Sequence, residues 1–212
     1  MCKFYSAIVM RNGDLLHNEN LTSHEDIISL FNINDSQVNC NKFVRVEYTP
    51  DNNTDLPDIS KYKLNVDESV TPDWFEKHKD YTIERLKSIV EKRIITINQK
   101  ILTGGIYVVK DCKIDKLISA QIIYLQGKVN EMWENSQVNE MWENSLVNEM
   151  WENSRVNEMW ENSLVNVMRG NSQVNVMREN SQVNVMRESS QVNVMRENSQ
   201  VKANNSKNKL PK

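Results

Sequence analysis

The stretch VNEMWENSLVNEMWENSR at residues 138–155 holds two copies of a nine-residue unit. The unit continues in register from residue 129 to residue 201, without insertion or deletion. Val stands at every ninth position, and Asn, Met and Ser recur in step with it. A strict interval of this length is typical of repeat proteins, in which each unit packs mainly on its neighbours.

An α-helix cannot accommodate this interval. Nine residues at about 100° each advance the chain by about 900°, so successive valines would lie on opposite sides of the helix. Asn-Ser in almost every unit also favours turns over a continuous helix. A β-solenoid accommodates the interval as a strand of about five residues and a polar turn of about four. We therefore predict a β-solenoid of nine-residue repeats over residues 129–201, with two repeats in each coil.

The two faces of each strand make competing demands, because side chains on a strand alternate in direction. If Ser136 and Val138 point inward, Glu140 does so too, whereas the opposite choice buries Asn139 and Met141. Small side chains suit a narrow coil, so we predict Ser and Val inside and the Glu carboxylate reaching water at a corner. Asn is then expected in ladders of side-chain amides, and Met and Trp are expected on the outside.

Exposed columns of Met and Trp would form an apolar patch of a kind that monomers rarely leave uncovered. We predict that this surface contacts a protein partner or a second copy of the chain. Its residues are Met132, Trp133, Met141, Trp142, Met150, Trp151, Met159 and Trp160. Evenly spaced aromatic rings are also typical of surfaces that stack on sugars or nucleobases.

The array is divided by charge. Repeats one to four contain eight Glu and one Arg, a net charge of −7, whereas repeats five to eight contain four Arg and three Glu, a net charge of +1. The Trp-bearing half would repel phosphates, which disfavours nucleic acid as a partner. Stacked glutamates predict that this half is sensitive to salt and pH. The Gly- and Asp-rich pattern of calcium-binding nonapeptides is missing, so no calcium is expected.

Residues 1–105 mix apolar and charged residues normally and predict a small α+β domain. Residues 106–128 are expected to form irregular first rungs of the solenoid, and residues 202–212 a disordered basic tail. A bare solenoid end exposes unpaired strand edges. We therefore expect the N-terminal domain to cap the first coil, and we expect weak end-to-end association at the far end.

Local patterns predict the elements of the N-terminal domain. A strand over residues 3–10, a two-residue type I′ turn at Asn12-Gly13 and a return strand over 14–17 form a hairpin. The other predicted elements are a helix at 23–31 with a capping box from Thr22 to Glu25, strands at 43–48 and 63–66, and a helix from Thr71-Pro72-Asp73 to about residue 95 with a possible break near 80–82. Gly104-Gly105 is expected to form a turn.

The segments FYSAIVMRNGDLL (4–16), KFVRVEYTP (42–50) and TPDWF (71–75), joined to repeats such as NSQVNVMRENSQV (171–183), carry a resemblance. The chain resembles uncharacterised bacteriophage and bacterial proteins with a small N-terminal domain and a short-repeat β-solenoid. It does so over most of its length. Ala and Thr often flank the Val in those proteins, which implies that Val points inward. The resemblance implies no activity.

Candidate residues for catalysis are few. His17, His24 and His78 are scattered and lack the spacing of metal ligands, so neither a metal nor a cofactor is predicted. Arg45 and Glu47 share one face of a strand and are most simply a surface pair, although such a face could bind an anion. The alternative to a contact protein is thus an enzyme whose site uses His17, Arg45, Glu47 or His78, with the repeats serving oligomerisation.

The composition limits location and partners. With 26 basic and 29 acidic residues, the formal net charge of −3 indicates no preference for nucleic acid or an anionic membrane. Cys2, Cys40 and Cys112 form no CxxC pair and are interpreted as reduced thiols of a cytoplasmic protein, with Cys40 and Cys112 buried rather than nucleophilic. The first apolar run is too short for a signal peptide, and no window has the ~20 apolar residues of a membrane helix.

Overall fold

The computed structural model describes residues 4–35 and 41–211 of the chain. The predictions for Cys2, Lys3 and Cys40 lie outside these residues. The chain divides into two units, Met1–Arg93 and Ile94–Lys212. The division falls before the expected boundary at residue 105, because the segment after Arg93 already contributes solenoid strands.

The first unit contains a four-stranded antiparallel sheet in the order β2-β1-β3-β4, as an α+β domain requires. Its strands are β1 (Ser6–Met10), β2 (Leu15–Leu16), β3 (Phe43–Thr49) and β4 (Lys63–Val66). Its helices are α1 (His24–Leu30) and α2 (Lys79–Glu91), with short 3₁₀ turns at Asn53–Asp55, Ile59–Lys61 and Asp73–Lys77. Ile8, Ile27 and Phe43 are buried together between the sheet and α1. These elements confirm the predicted class.

The β1–β2 hairpin is present, but its predicted turn was wrong. Met10 N–H donates to the Asp14 carbonyl at 2.8 Å, and Gly13 N–H donates to the Met10 carbonyl at 2.8 Å. The loop therefore has three residues, of which Gly13 alone has a positive φ, +89°. A three-residue loop of this kind needs glycine at one position, whereas a type I′ turn would need positive φ at two.

Helix α1 is capped one residue later than predicted, and α2 begins at Lys79, after the predicted start at residues 71–73. Ser23, rather than Thr22, caps α1 by accepting a hydrogen bond from Asp26 N–H. Pro72 precedes a 3₁₀ turn, Asp73–Lys77, and α2 starts only after His78. The predicted break in this helix therefore lies slightly before residues 80–82.

The second unit is a parallel β-solenoid of about six turns. Before the repeats it contains β5 (Ile94–Ile95), β6 (Gln99–Thr103), β7 (Ile106–Ile118) and β8 (Gln121–Trp133). The repeats form β9 (Gln137–Met141), β10 (Leu146–Met150), β11 (Arg155–Met159), β12 (Leu164–Met168), β13 (Gln173–Met177), β14 (Gln182–Glu188), β15 (Gln191–Met195) and β16 (Gln200–Ser206). Val147 pairs with Val165 and Met150 with Met168, so the coil repeats at about 18 residues. Two nine-residue repeats therefore close one coil, as predicted.

The interior of the coils holds three side chains from each repeat. Ser136, Val138 and Met141 are all fully buried, and the equivalent residues of the other repeats are buried almost throughout. The inward Ser and Val are as predicted, but the prediction of an exposed Met column was wrong. Asn139 and Glu140 both avoid the interior, so two successive outward residues break the alternation and return Met to the core. This arrangement removes the predicted conflict at Glu140.

Each coil turns a corner at the sixth position of the repeat. Seven glutamates and Gly170 occupy this position with φ between 54° and 63°. A left-handed backbone costs a non-glycine residue roughly 1–2 kcal/mol. The carboxylates of Glu188 and Glu197 accept hydrogen bonds from the N–H groups of Gly170 and Glu179 one coil earlier, at 2.8 and 2.6 Å. These bonds satisfy turn N–H groups and help to offset the strain.

The coils before the array are smaller and less regular. Ile94 pairs with Val108 and Ile122 pairs with Val138, so both of these coils are shorter than two nine-residue repeats. The β7–β8 register also shifts at two places. The irregular first rungs are therefore observed, but they begin at β5 rather than at residue 106.

The C-terminal segment covers the last coil instead of forming the predicted disordered tail. Strand β16 continues the sheet to Ser206, and Lys207 N–H donates to the Glu188 carbonyl at 2.7 Å. Asn208 donates to the Ser189 carbonyl at 2.8 Å, and Leu210 packs against the apolar core. This end is therefore partly capped, which weakens the expectation of end-to-end association there.

Candidate functional site

The four tryptophans of the array form two ladders, one on each side of the solenoid. Trp133 stacks on Trp151 with ring centroids 5.1 Å apart and planes 5° apart. Trp142 stacks on Trp160 at 5.3 Å and 3°. The ladders arise because each Trp lies at the end of a strand that pairs in register with the equivalent strand of the next coil.

Both ladders are closed at their ends by other side chains. The Arg169 guanidinium lies 4.7 Å from the ring centroid of Trp151, and Lys116 lies 5.8 Å from that of Trp133. On the other side, Arg178 covers Trp160 at 4.4 Å and Tyr124 stacks on Trp142 at 6.2 Å. These cation–π and aromatic contacts stabilise the ladders.

Closed ladders leave no ring face for a ligand. A nucleobase or sugar that stacks on a Trp needs an uncovered face. Each of the four Trp has a neighbour on both faces, and each side chain is partly exposed. The surface can therefore take part in lateral contacts but not in stacking. Met132, Met141, Met150 and Met159 contribute nothing to it, because they are buried.

The glutamates at the third position of the repeat are tied to these ladders. Trp133 and Trp142 donate their Nε1–H groups to Glu131 and Glu140 at 2.8 and 2.9 Å. The hydrogen bond from Trp133, together with one from Lys116, holds the pKa of Glu131 below its usual value, although desolvation opposes this effect. At the start of the array, hydrogen bonds from Trp and Lys side chains therefore stabilise the charged carboxylates of the third position.

The next glutamates are balanced by arginines from the second half of the array. Glu149 pairs with Arg169 at 3.6 Å, and Glu158 pairs with Arg178 at 3.2 Å. Each arginine reaches back to a carboxylate about one coil earlier. The change from Trp to Arg at the fifth position therefore has two results. The arginine covers the last Trp of each ladder, and it neutralises the last third-position glutamate on the same side.

The predicted asparagine ladders are present on both sides of the solenoid. Asn148 Nδ2 donates to Asn130 Oδ1 at 2.9 Å, and Asn166 donates to Asn148 at 2.9 Å. The same contact recurs to Asn184 on this side and from Asn139 to Asn193 on the other. These side-chain bonds fix the lateral register of the coils.

The alternative catalytic residues have different hydrogen-bond and packing partners. The first, His17, lies with its Nδ1 atom 2.9 Å from the Tyr5 hydroxyl oxygen. Burial lowers the pKa of His17, and Arg85 adds to this effect. Burial also raises the pKa of Tyr5 to about 12, so this hydroxyl stays protonated. Arg93 lies near the pair and binds Glu19 at 2.7 Å.

The other three residues, Arg45, Glu47 and His78, are held by different contacts. Arg45 binds Glu68 at 2.9 Å and also pairs with Asp35, which makes it a structural ion pair rather than an open anion site. His78 packs over Gly13, where an added Cβ would lie 2.8 Å from His78 Nδ1. Glu47 shares a face of β3 with Arg45, as predicted, but groups with a different histidine, His24.

Comparison with family models, curated proteins and solved structures finds no match. Among residues 4–35 and 41–211, no helix has both the length and the apolar character needed to cross a bilayer.

Two features of the structure had no counterpart in the sequence analysis. His24, Glu47 and Asp67 meet although they lie far apart in the sequence, and no local spacing signals such a group. The Sγ atom of Cys112 lies 3.4 Å from the Ile95 carbonyl oxygen, so the expected buried thiol also bonds to a neighbouring coil. Burial raises the pKa of Cys112, which disfavours a nucleophilic thiolate.

Proposed function

We propose that this chain is a non-enzymatic assembly protein that pairs with a second copy of itself through one side of the solenoid. The contact surface is the Val194 face, which we define as the outward side chains of β9, β11, β13 and β15 with the residue that follows each strand. The observation that carries the proposal is the reversal of charge along this face. Glu140 lies at its first rung, and Arg196 lies at its last.

The sequence of side chains along the Val194 face supports a polar contact surface. The third position of the repeat reads Glu, Glu, Val, Val along the four rungs, and the fifth position reads Trp, Trp, Arg, Arg. In the middle rungs, Arg178 already binds Glu158. At the first rung, Trp142 donates its Nε1–H group to Glu140 at 2.9 Å. At the third and fifth positions, glutamates therefore occupy the first two rungs and arginines the last two, and Arg155 adds one positive charge at the start of β11.

Two such faces complement each other when they lie side by side in opposite directions. A two-fold axis through the middle of the face places Glu140 of each copy opposite Arg196 of the other. Rungs of both copies repeat at about 4.8 Å, so alignment of one pair aligns the rest. The closed symmetry limits the assembly to a dimer through this face.

The apolar part of the same face also favours pairing. Val194 is 36% exposed and is among the large apolar side chains that stay open to solvent. In the antiparallel arrangement, it meets the rung of Glu140 and the partly exposed side chain of Trp142. Burial of Val194 and this side chain adds a hydrophobic contribution between the two end charge pairs.

The test is a charge swap in the full chain, followed by sedimentation or light scattering over a range of concentrations. Glu140→Arg or Arg196→Glu alone should weaken the dimer at least about tenfold, which corresponds to about 1.4 kcal/mol. The double variant should restore it, because the two charges are then exchanged. High salt should weaken the wild-type dimer through screening.

Arg187→Glu is the matched control, since Arg187 holds the same repeat position on the opposite side of the solenoid. It should leave the dimer unchanged. A wild-type chain that stays monomeric at all concentrations would overturn the proposal. So would a double variant that dimerises no better than the two single variants.

A further inference from the structure

Three side chains with metal-binding atoms converge in the first unit. His24 begins α1, Glu47 lies in β3 and Asp67 directly follows β4. One ligand atom from each residue lies within 4.8 Å of the other two. Asp67 reaches this position because its N–H donates to the Arg45 carbonyl at 3.0 Å, which extends the β3–β4 pairing by one residue.

The orientation of His24 is fixed by a backbone contact. Its side chain is fully buried, and Nε2 lies 3.0 Å from the Val46 carbonyl. A carbonyl only accepts hydrogen bonds, so Nε2 carries the proton and Nδ1 presents its lone pair in the neutral imidazole. Histidines that bind metals commonly hold their second nitrogen in this way, which sets the tautomer and the ring orientation.

The distance from His24 to Asp67 fits two ligands of one ion. His24 Nδ1 lies 3.4 Å from Asp67 Oδ2. A charge-assisted hydrogen bond between these atoms would be about 2.7–2.9 Å long. Two ligands that each lie about 2.0–2.1 Å from a tetrahedral zinc ion are separated by roughly 3.4 Å. The observed 3.4 Å is therefore longer than a charge-assisted hydrogen bond and matches the separation of two ligands of one zinc ion.

The neighbouring acidic residue is excluded from the group. Glu68 binds both the backbone N–H and the guanidinium of Arg45, at 3.2 and 2.9 Å. It therefore neutralises Arg45 and leaves Asp67 and Glu47 as the carboxylates that face His24. The Asp67 side chain is 63% exposed, so an ion can enter from solvent.

We propose that His24 Nδ1, Glu47 and Asp67 bind one divalent ion of the zinc class. One imidazole and two carboxylates suit zinc and its first-row neighbours better than calcium or magnesium, which prefer oxygen ligands alone. Three protein ligands leave a fourth position for water or for a group from another molecule. The site tethers α1 to the sheet. It is independent of the pairing proposed for the solenoid.

The experiment measures binding of zinc chloride to the metal-free full chain by calorimetry, with metal content determined separately. The wild type should bind one equivalent, and its thermal unfolding should shift to higher temperature with added zinc. Asp67→Asn should weaken binding at least about tenfold. Asp51→Asn is the matched control, because Asp51 is a similarly exposed aspartate of the same unit, 68% against 63%.

Cobalt replacement supplies a second readout that does not depend on stability. The wild type and Asp51→Asn should give the visible absorption of a four-coordinate cobalt ion, and Asp67→Asn and Glu47→Gln should lose it. The proposal is overturned if the wild type binds no stoichiometric zinc. It is also overturned if Asp67→Asn binds zinc as tightly as Asp51→Asn, since His24 and Asp67 then form only an ion pair.

Discussion

The coils before residue 129 and the coils after it share parallel strands and one continuous core, but they are built by different rules. The early coils are shorter and are filled by Ile114, Leu117, Ile122 and Leu125. The later coils each contain two repeats and are filled by repeated Ser, Val and Met. The solenoid therefore does not require a repeated sequence. Because the repeats bury the same residues, each coil of the array can replace its neighbours.

The two regions should differ most when nine residues, the length of one repeat, are deleted from each. Removal of 156–164 takes out one repeat, and the columns downstream should close up because all repeats share one pattern. Removal of 112–120 takes out the second half of β7, with its core residues Ile114 and Leu117, and the turn before β8. The strands that remain can no longer pair in register, and strand register decides which face is buried. Circular dichroism and urea unfolding of the two variants measure the difference.

The first variant should keep a β-sheet spectrum and a cooperative transition, and the second should lose most of both. An equal loss in both variants would mean that the repeats are not interchangeable. Equal tolerance would mean that the early coils are as permissive as the array.

The regular region was also the more predictable one. Its interval excluded a helix by rotation alone, and the stacking of every second repeat followed from two repeats per coil. The inward Ser and Val and the Asn ladders followed from side-chain size and chemistry. The Met column was mispredicted because strict alternation was assumed, whereas Asn139 and Glu140 both point away from the core. No rule of period two anticipates such a pair.

The candidate sites depended on contacts that local spacing does not encode. The Trp positions were evident, but the arginines that close their ladders lie one coil downstream, in a different repeat type. In the first unit, strand pairing brings Asp67 beside β3 and lets Arg45 bind Glu68. Arg45 and Glu47, which the sequence groups on one face, therefore have different partners. Pairings of this kind become visible only when the sheet order is known.

A smaller effect is expected from glycines in the two regions. At Gly127, in the early coils, an added Cβ would lie 2.5 Å from the Cys112 carbonyl oxygen, a backbone atom that cannot move aside easily. Gly127→Ala should therefore lower the free energy of unfolding by about 1–3 kcal/mol. At Gly170, an added Cβ would lie 2.9 Å from the Glu152 backbone, but glutamate fills the equivalent turn position with the same positive φ in seven other repeats. Gly170→Ala should cost less, as measured by urea unfolding.

The ranking of these two variants is the informative result. If Gly170→Ala is the more damaging change, the turn of the fifth repeat is not equivalent to the others. The interchangeability of layers would then fail at the junction between the Trp-bearing and Arg-bearing halves.

The smallest expected effect lies at the boundary between the two regions, where Lys116 of β7 meets Glu131 of the first repeat at 3.2 Å. The hydrogen bond from Trp133 and the contact with Lys116 lower the pKa of Glu131 from its usual 4.5. Because the folded chain holds the carboxylate in its charged form, Glu131 stabilises the fold above pH 4.5. That stabilisation is lost as the pH falls through the lowered pKa.

Glu131→Gln should therefore destabilise the chain at neutral pH and have less effect at a pH well below 4.5. The difference should be small, since partly exposed ion pairs contribute roughly 0–1 kcal/mol. Glu143→Gln removes an exposed turn carboxylate and serves as the control, with urea unfolding measured at both pH values. If the two variants respond to pH alike, the contacts of Glu131 with Lys116 and Trp133 contribute nothing specific to the junction between the irregular and regular coils.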